Sequence, residues 1–261
     1  MSVRIDQVSV IGSGVMGSGI GQSLATAGYR TRVYDRDPAQ LERAALFVRT
    51  GRYGLDRGVE RGKLTREDAD AALARLEFCS ELDAAVTTAD LVIEAVPESL
   101  AVKIPLLRRL DELTPVNAIL ASNSSGLSVT AMSSATDRPE RVLTWHWASP
   151  PVVQRFAEIV RTERTDPAVV AAVVEVATRC GKNPVVVTEN ERKWGYAANR
   201  IYVAMVAEAE KVVAEGVATR EQVDQLMCDA YSWPVGPFAM LRGANEGWGE
   251  GWSGTSGKAL T

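Results

Sequence analysis

One histidine occurs in the 261 residues, His146, and it stands between two tryptophans in the run LTWHWASPP, Leu143 to Pro151. An imidazole with a carboxylate on one ring nitrogen is the common general acid/base near neutral pH. The carboxylate fixes the tautomer and stabilises the imidazolium, and the other nitrogen exchanges the proton. Glu158 in FAEIVRT is the candidate carboxylate, and the polar turn Asn123 to Ser125 also lies near a predicted strand end. A second kind of chemistry is written at the other end of the chain. Gly12, Gly14 and Gly17 in GSGVMG have the spacing of a turn that admits a pyrophosphate to backbone N–H groups at a helix N-terminus. Asp35, 18 residues after Gly17, stands where an acid binds ribose hydroxyls and repels a 2′-phosphate, which favours NAD over NADP.

These groups meet only if the elements carrying them converge. DQVSVI reads as a strand breaking into the glycine turn and then a helix through GIGQSLATAGY; RTRVYD is a second strand, and Asp37-Pro38 opens a further helix. Leu41 to Ala74 reads as two helices linked around GVERGKLTRED, with Thr65 and Asp68 as a capping pair, an insertion at about 40–75. Strand patterns follow at LEFCS, DLVIEAV and NAILASN, with a helix from Ser99 to about Leu113, then RVLTWHW and FAEIVRT. A helix capped by Asp166-Pro167 and ended by Gly181, and a last strand NPVVVTE, complete the alternation. The alternation predicts a doubly wound parallel sheet of α/β class, whose ligands sit at the carboxyl ends of the strands, where Ser125, His146 and Glu158 would share one crevice. After Glu189 the character changes: NERK reads as a linker, Trp194 to Glu215 as a long helix stopped by Gly216, and Thr219 with Gln222 as a capping box for the next. The expected division is therefore 1–189, a dinucleotide-binding domain, and 190–261, a smaller all-helical C-terminal domain.

Composition bounds the partners. With 29 basic against 33 acidic side chains the net charge is -4, which gives no electrostatic reason for nucleic acid or an anionic membrane. The apolar runs are too short to span a bilayer, and the N-terminus enters a strand pattern without a basic-then-apolar leader, so the expected location is cytoplasmic. Cys79, Cys180 and Cys228 are odd in number and widely spaced, which argues against a disulfide framework or a zinc site.

Taken together, the motifs resemble the L-3-hydroxyacyl-CoA dehydrogenase family over nearly the whole chain. VSVIGSGVMGSGIGQSLATAGY is similar to that family's dinucleotide-binding start, GKLT to its two-helix insertion, LVIEAVPESLAVK to its fourth-strand motif and ASNSSGLSV to its serine loop. LTWHWASPP is similar to its histidine strand, EIV to its glutamate strand, WGYAANR to the start of its second domain, and YSWPVGPFAML to its PxGPF segment. The resemblance implies a Rossmann-like NAD domain followed by a helical domain that pairs two subunits, and interconversion of a 3-hydroxyl and 3-keto group on an acyl thioester. It implies His146 as acid/base, Glu158 as its orienting carboxylate, and Ser125 with Asn199 as holders of the reacting oxygen. It also implies a cofactor site of Gly12, Gly14, Val15, Met16, Gly17, Asp35, Ala95, Glu98, Lys103, Ser125 and Ser149, and no metal.

The departures are as specific. The family's histidine strand continues with two aromatics and an Asn-Pro pair, whereas Trp147, Ala148, Ser149 and Pro150 follow His146. Ser149 thus replaces an asparagine, and a hydroxyl cannot imitate the whole amide. Gly126 replaces the second serine of the loop, and the chain ends soon after Phe238, with Trp248 and Trp252 among glycines, which implies a shortened second domain and a tail able to order over a ligand or a partner. These departures leave two acyl carriers open, CoA or an acyl carrier protein bearing a hydroxyacyl or glyceryl group. An acidic carrier would use Arg49, Arg52, Arg57, Arg61, Lys63 and Arg66 on the insertion. Retention of Ser125, His146, Glu158 and Asn199 argues against a dinucleotide-binding protein without turnover.

Overall fold

The strand QVSVI, β1 (Gln7–Ile11), is buried throughout: Val8 and Val10 pack on one face, and on the other the Ser9 hydroxyl is satisfied by donating to the Ala85 carbonyl at 2.6 Å. The computed structural model describes residues 3–190 and 193–246. In chain order β1 is followed by α1 (Val15–Thr26), β2 (Arg30–Tyr34), α2 (Pro38–Thr50), α3 (Leu55–Glu60), α4 (Arg66–Ala74), β3 (Leu76–Cys79), α5 (Leu82–Val86), β4 (Leu91–Glu94) and α6 (Leu100–Leu113). Then come β5 (Ile119–Ser122), α7 (Val129–Ser133), β6 (Val142–Trp147), β7 (Phe156–Thr162), α8 (Pro167–Arg179), β8 (Asn183–Glu189), α9 (Ala197–Ala214), α10 (Arg220–Tyr231) and α11 (Pro237–Glu246).

The strands form one sheet in the order β3-β2-β1-β4-β5-β6-β7-β8. β1 pairs in parallel with both β2 and β4, so the strand order reverses direction between β1 and β4, and a crevice opens beyond their carboxyl ends. One apolar cluster, with Val10, Ile20, Ile93, Leu143 and Trp145, and a second, with Ile11, Val92, Leu120, Met132 and Tyr196, fill the two faces. The α/β class is as the sequence predicts, with one correction: the sheet is not wholly parallel. β6 and β7 are antiparallel, which turns β7 and β8 against the first six strands. The connection, residues 148–155, is too short for the crossover of about a dozen residues that parallel strands need.

The insertion holds three helices rather than two, because Gly51 and Gly54 end α2 and open α3. Its last helix starts as the sequence indicates, with the Thr65 hydroxyl accepting from the Asp68 N–H at 3.0 Å. The long helix begins at Ala197, three residues later than predicted, since Trp194 and Tyr196 are tied to other parts of the sheet domain.

The chain divides into two compact units, one ending at Tyr196 and one beginning at Ala197. The second packs α9, α10 and α11 around Ala209, Val223 and Phe238, with the Thr219–Gln222 capping box formed. The tail bearing Trp248 and Trp252 lies outside the described residues.

Candidate active site

The glycine turn is shaped by contacts that exclude side chains. Gly12 has φ +99°, and a Cβ there would lie 2.8 Å from the Ala95 carbonyl oxygen at the end of β4. A Cβ on Gly17 would overlap the Gly12 carbonyl oxygen, so turn and helix can close only with glycine at both positions. Gly14 differs: nothing stands within 4 Å of its missing Cβ, and it begins α1 without a side-chain cap. Gly14 thus leaves space beside the start of α1 at Val15 and Met16, where the first N–H groups of a helix make a cradle suited to an anion. Asp35 follows β2 and accepts from the Ser13 N–H at 2.9 Å, the Ser13 hydroxyl at 3.1 Å and the Asp37 N–H at 3.1 Å. Its carboxylate therefore both shapes the turn and stands at the strand end where a ribose would lie. The residues present fit a dinucleotide.

Beside the turn, at the ends of β4 and β5, lies a buried polar network. The Lys103 ammonium, on α6 and 1% exposed, donates to Glu94 Oε1 at 2.6 Å and to the Val96 carbonyl at 3.1 Å, and lies 3.4 Å from Glu98 Oε2. Glu94, fully buried, also accepts from the Val96 N–H at 2.7 Å and the Ser122 hydroxyl at 2.6 Å. Glu98 Oε1 gathers the serine loop, accepting from the Ser124 hydroxyl at 2.6 Å, the Ser125 N–H at 2.8 Å and the Gly126 N–H at 3.1 Å. Lys103 thus lies behind the loop, while Glu98 and Ser125 reach its exposed surface.

His146 and Glu158 are brought together by register. They are directly paired residues on β6 and β7, so their side chains leave the same face of the sheet. His146 Nδ1 lies 3.1 Å from Glu158 Oε2, and both residues are buried. Phe156 and Tyr196 meet the imidazole edge-on, with ring centroids 5.0 and 6.0 Å away. Tyr196 is fully buried at φ 49°; its hydroxyl donates to the Leu127 carbonyl at 2.6 Å and lies 3.2 Å from Thr144 Oγ1. Burial holds that phenol neutral by pushing its pKa up. The Trp194 indole donates to the Gly126 carbonyl at 2.9 Å, so the segment after β8 braces the serine loop. The Asn123 side-chain oxygen accepts from the Trp147 N–H at 3.1 Å, joining the end of β6 to the start of that loop. Ser149 is half-buried in the connection after β6, and Asn199 is half-buried on the first turn of α9 in the second unit.

A sheet reversing at β1/β4, a dinucleotide cradle and a histidine–carboxylate pair narrow the possibilities, and comparison with known proteins decides among them. The sequence model of the 3-hydroxyacyl-CoA dehydrogenase NAD binding domain matches residues 7–191, and that of the family's C-terminal domain matches residues 195–257. The chain belongs to the 3-hydroxyacyl-CoA dehydrogenase family. It is 35% identical over 238 residues to a probable 3-hydroxybutyryl-CoA dehydrogenase of Bacillus subtilis, spanning 91% of this chain and 80% of that protein. It is 32% identical over 240 residues to a 5-formyl-3-hydroxy-2-methylpyridine 4-carboxylate 5-dehydrogenase of Mesorhizobium japonicum, spanning 91% and 75%. Among solved structures, the (S)-3-hydroxybutyryl-CoA dehydrogenase of Ralstonia eutropha superposes with a TM-score of 0.85 at 32% identity, covering 91% of this chain and 81% of that one.

As a member of this family of NAD-dependent oxidoreductases, the chain takes its cofactor in the domain built on β1, α1 and β2. Sequence reading missed Glu94, whose signal in LVIEAV is that of any strand acid, and it missed the bracing by Trp194. It also placed Tyr196 on the helix, whereas Tyr196 precedes α9 and belongs to the sheet unit. Among the described residues no helix is long and apolar enough to cross a membrane, and no three metal-binding side chains cluster.

Proposed function

We propose that this family member is an NAD-dependent L-3-hydroxyacyl-thioester dehydrogenase in which His146 moves the proton and Glu158 orients it. The 3.1 Å contact between His146 Nδ1 and Glu158 carries the reading, since it commits one ring nitrogen to the carboxylate and leaves Nε2 to take a proton from a substrate hydroxyl. In the reverse direction Nε2 returns the proton to the oxygen. Bound at the glycine turn, NAD supplies the hydride acceptor. Ser125, at the exposed surface of the loop held by Glu98, hydrogen-bonds the reacting oxygen and stabilises charge developing there. Asn199 shares that role on the family pattern alone. Gly12, Gly14, Val15, Met16 and Gly17 hold the pyrophosphate, Asp35 the ribose, and Ala95, Glu98 and Ser149 line the nicotinamide end, with Lys103 acting on it from behind. The protein acts in the cytoplasm as a homodimer, and the exposed Ile201 and Val203 on α9 suit a subunit contact.

The thioester carrier is read as CoA, following the names of the relatives. A carrier protein is the second reading, favoured by Arg52, Arg61 and Lys63 on the insertion, which are exposed and have no ion-pair partner among the described residues. By contrast, Arg49 and Arg66 are held by Asp56, and Arg57 by Glu60. NADH oxidation with acetoacetyl-CoA, run beside the same keto-acyl group on an acyl carrier protein, separates the two. Turnover with CoA is expected, and His146→Gln should lower kcat by roughly 10²- to 10⁴-fold while leaving NADH binding intact. Unchanged turnover in that variant would remove His146 from the chemistry.

A further inference from the structure

Lys182 is a buried ammonium with no assigned task. It stands between α8 and β8, it is 6% exposed, and among the described residues no carboxylate pairs with it. A buried cation without a counter-charge costs several kcal/mol unless its donors are satisfied. Burial accordingly pulls the Lys182 pKa below 10.5. The ammonium is satisfied by one segment. It donates to the carbonyls of Pro151 and Gln154, at 2.7 Å for the latter, and lies over the Trp147 ring, 4.8 Å from its centroid. All three residues belong to the end of β6 and to the connection leading to β7, the segment between His146 and Glu158 that carries Ser149.

The same connection also touches α1. A Cβ on Gly19 of α1 would lie 2.6 Å from Pro151 Cγ, so the proline ring seats directly on the helix that begins at the glycine turn. The connection is thus held between Lys182 and α1. Next to it, the Asn183 N–H donates to the Arg155 carbonyl at 2.7 Å, which fixes the connection's exit into β7.

We propose that Lys182 is a positioning residue for the cofactor: by holding the Pro151 and Gln154 carbonyls it seats the β6–β7 connection on α1 and sets the nicotinamide end of the NAD site. It rests on the reading of the glycine turn as that site, but not on the identity of the acyl substrate. An apolar side chain of the same length fills the space and loses both carbonyl contacts, so the loss falls on cofactor binding rather than on the His146 proton transfer.

The test is NADH titration by nicotinamide fluorescence on the full chain, with steady-state kinetics beside it. Lys182→Met should weaken NADH about tenfold, with KM for NADH rising in parallel and kcat at saturating cofactor within about threefold of the parent. Lys182→Arg, which can donate to both carbonyls and stack on Trp147, should recover most of the affinity. Gly19→Ala approaches the connection from the other side and should also weaken NADH, which keeps the proposal testable if the methionine variant does not fold. A folded Lys182→Met protein with parental NADH affinity overturns the proposal, as does loss of kcat with affinity unchanged. Failure of the parent protein itself to bind NADH would instead overturn the reading of the glycine turn.

Discussion

At the scale of single residues, the chemistry is most legible where a residue type is rare. A lone histidine invites the question of its partner, and the paired register of β6 and β7 answers with Glu158. The carboxylate's proposed task is to hold one tautomer. Glu158→Gln should therefore lower kcat roughly a hundredfold or more and change the pH–rate profile, while NADH affinity stays within error. A parental pH profile in that variant would show that the pair is only a packing contact. Glu94 was not legible, because a strand glutamate in LVIEAV carries no mark of burial until α6 lays Lys103 against it. Removing the cation strands the acid: Lys103→Met should cost about 3–5 kcal/mol in denaturant unfolding. A cost under about 1 kcal/mol would mean that Ser122 and the Val96 N–H suffice for Glu94.

At the scale of elements, strands and long helices were legible because their periods differ, whereas α5 and α7 are single short turns with no period to read. The three-helix insertion and the reversal at β7 depend on glycine placement and connection length, which hydrophobic pattern does not report. The late start of α9 has a local and a tertiary cause: Gly195 disfavours a helix, and Trp194 and Tyr196 on either side of it donate to the Gly126 and Leu127 carbonyls of the serine loop. The glycine turn yields a prediction that separates fold from function inside one motif. Gly17→Ala places a methyl on the Gly12 carbonyl and should destabilise the sheet unit by about 1–3 kcal/mol or more. Gly14→Ala meets nothing within 4 Å, so it should melt like the parent yet bind NADH more weakly, because the methyl occupies the approach to the α1 N-terminus. Thermal melts and NADH titrations of the two variants check this, and equal melting with equal affinity would remove the turn from both roles.

At the scale of the whole molecule, stability at alkaline pH should depend on two neighbouring groups of opposite sign. Burial pushes the Cys180 thiol up to about 12, from 9.0 when free. Between those values the unfolded chain has lost the proton and the native chain keeps it, so stability falls as pH rises, by at most about 1.4 kcal/mol per pH unit. Burial moves Lys182 the other way, below 10.5. Between its lowered value and 10.5 the unfolded chain keeps a proton that the native chain has shed, so its contribution to stability rises with pH. The two lie at the same α8–β8 junction, and each charged form favours the other across it. Urea unfolding at intervals from pH 8 to pH 11 should therefore show a shallower alkaline decline in Cys180→Ala than in the parent, and a steeper one in Lys182→Met. Parallel declines in all three proteins would mean that neither group changes its proton affinity on folding.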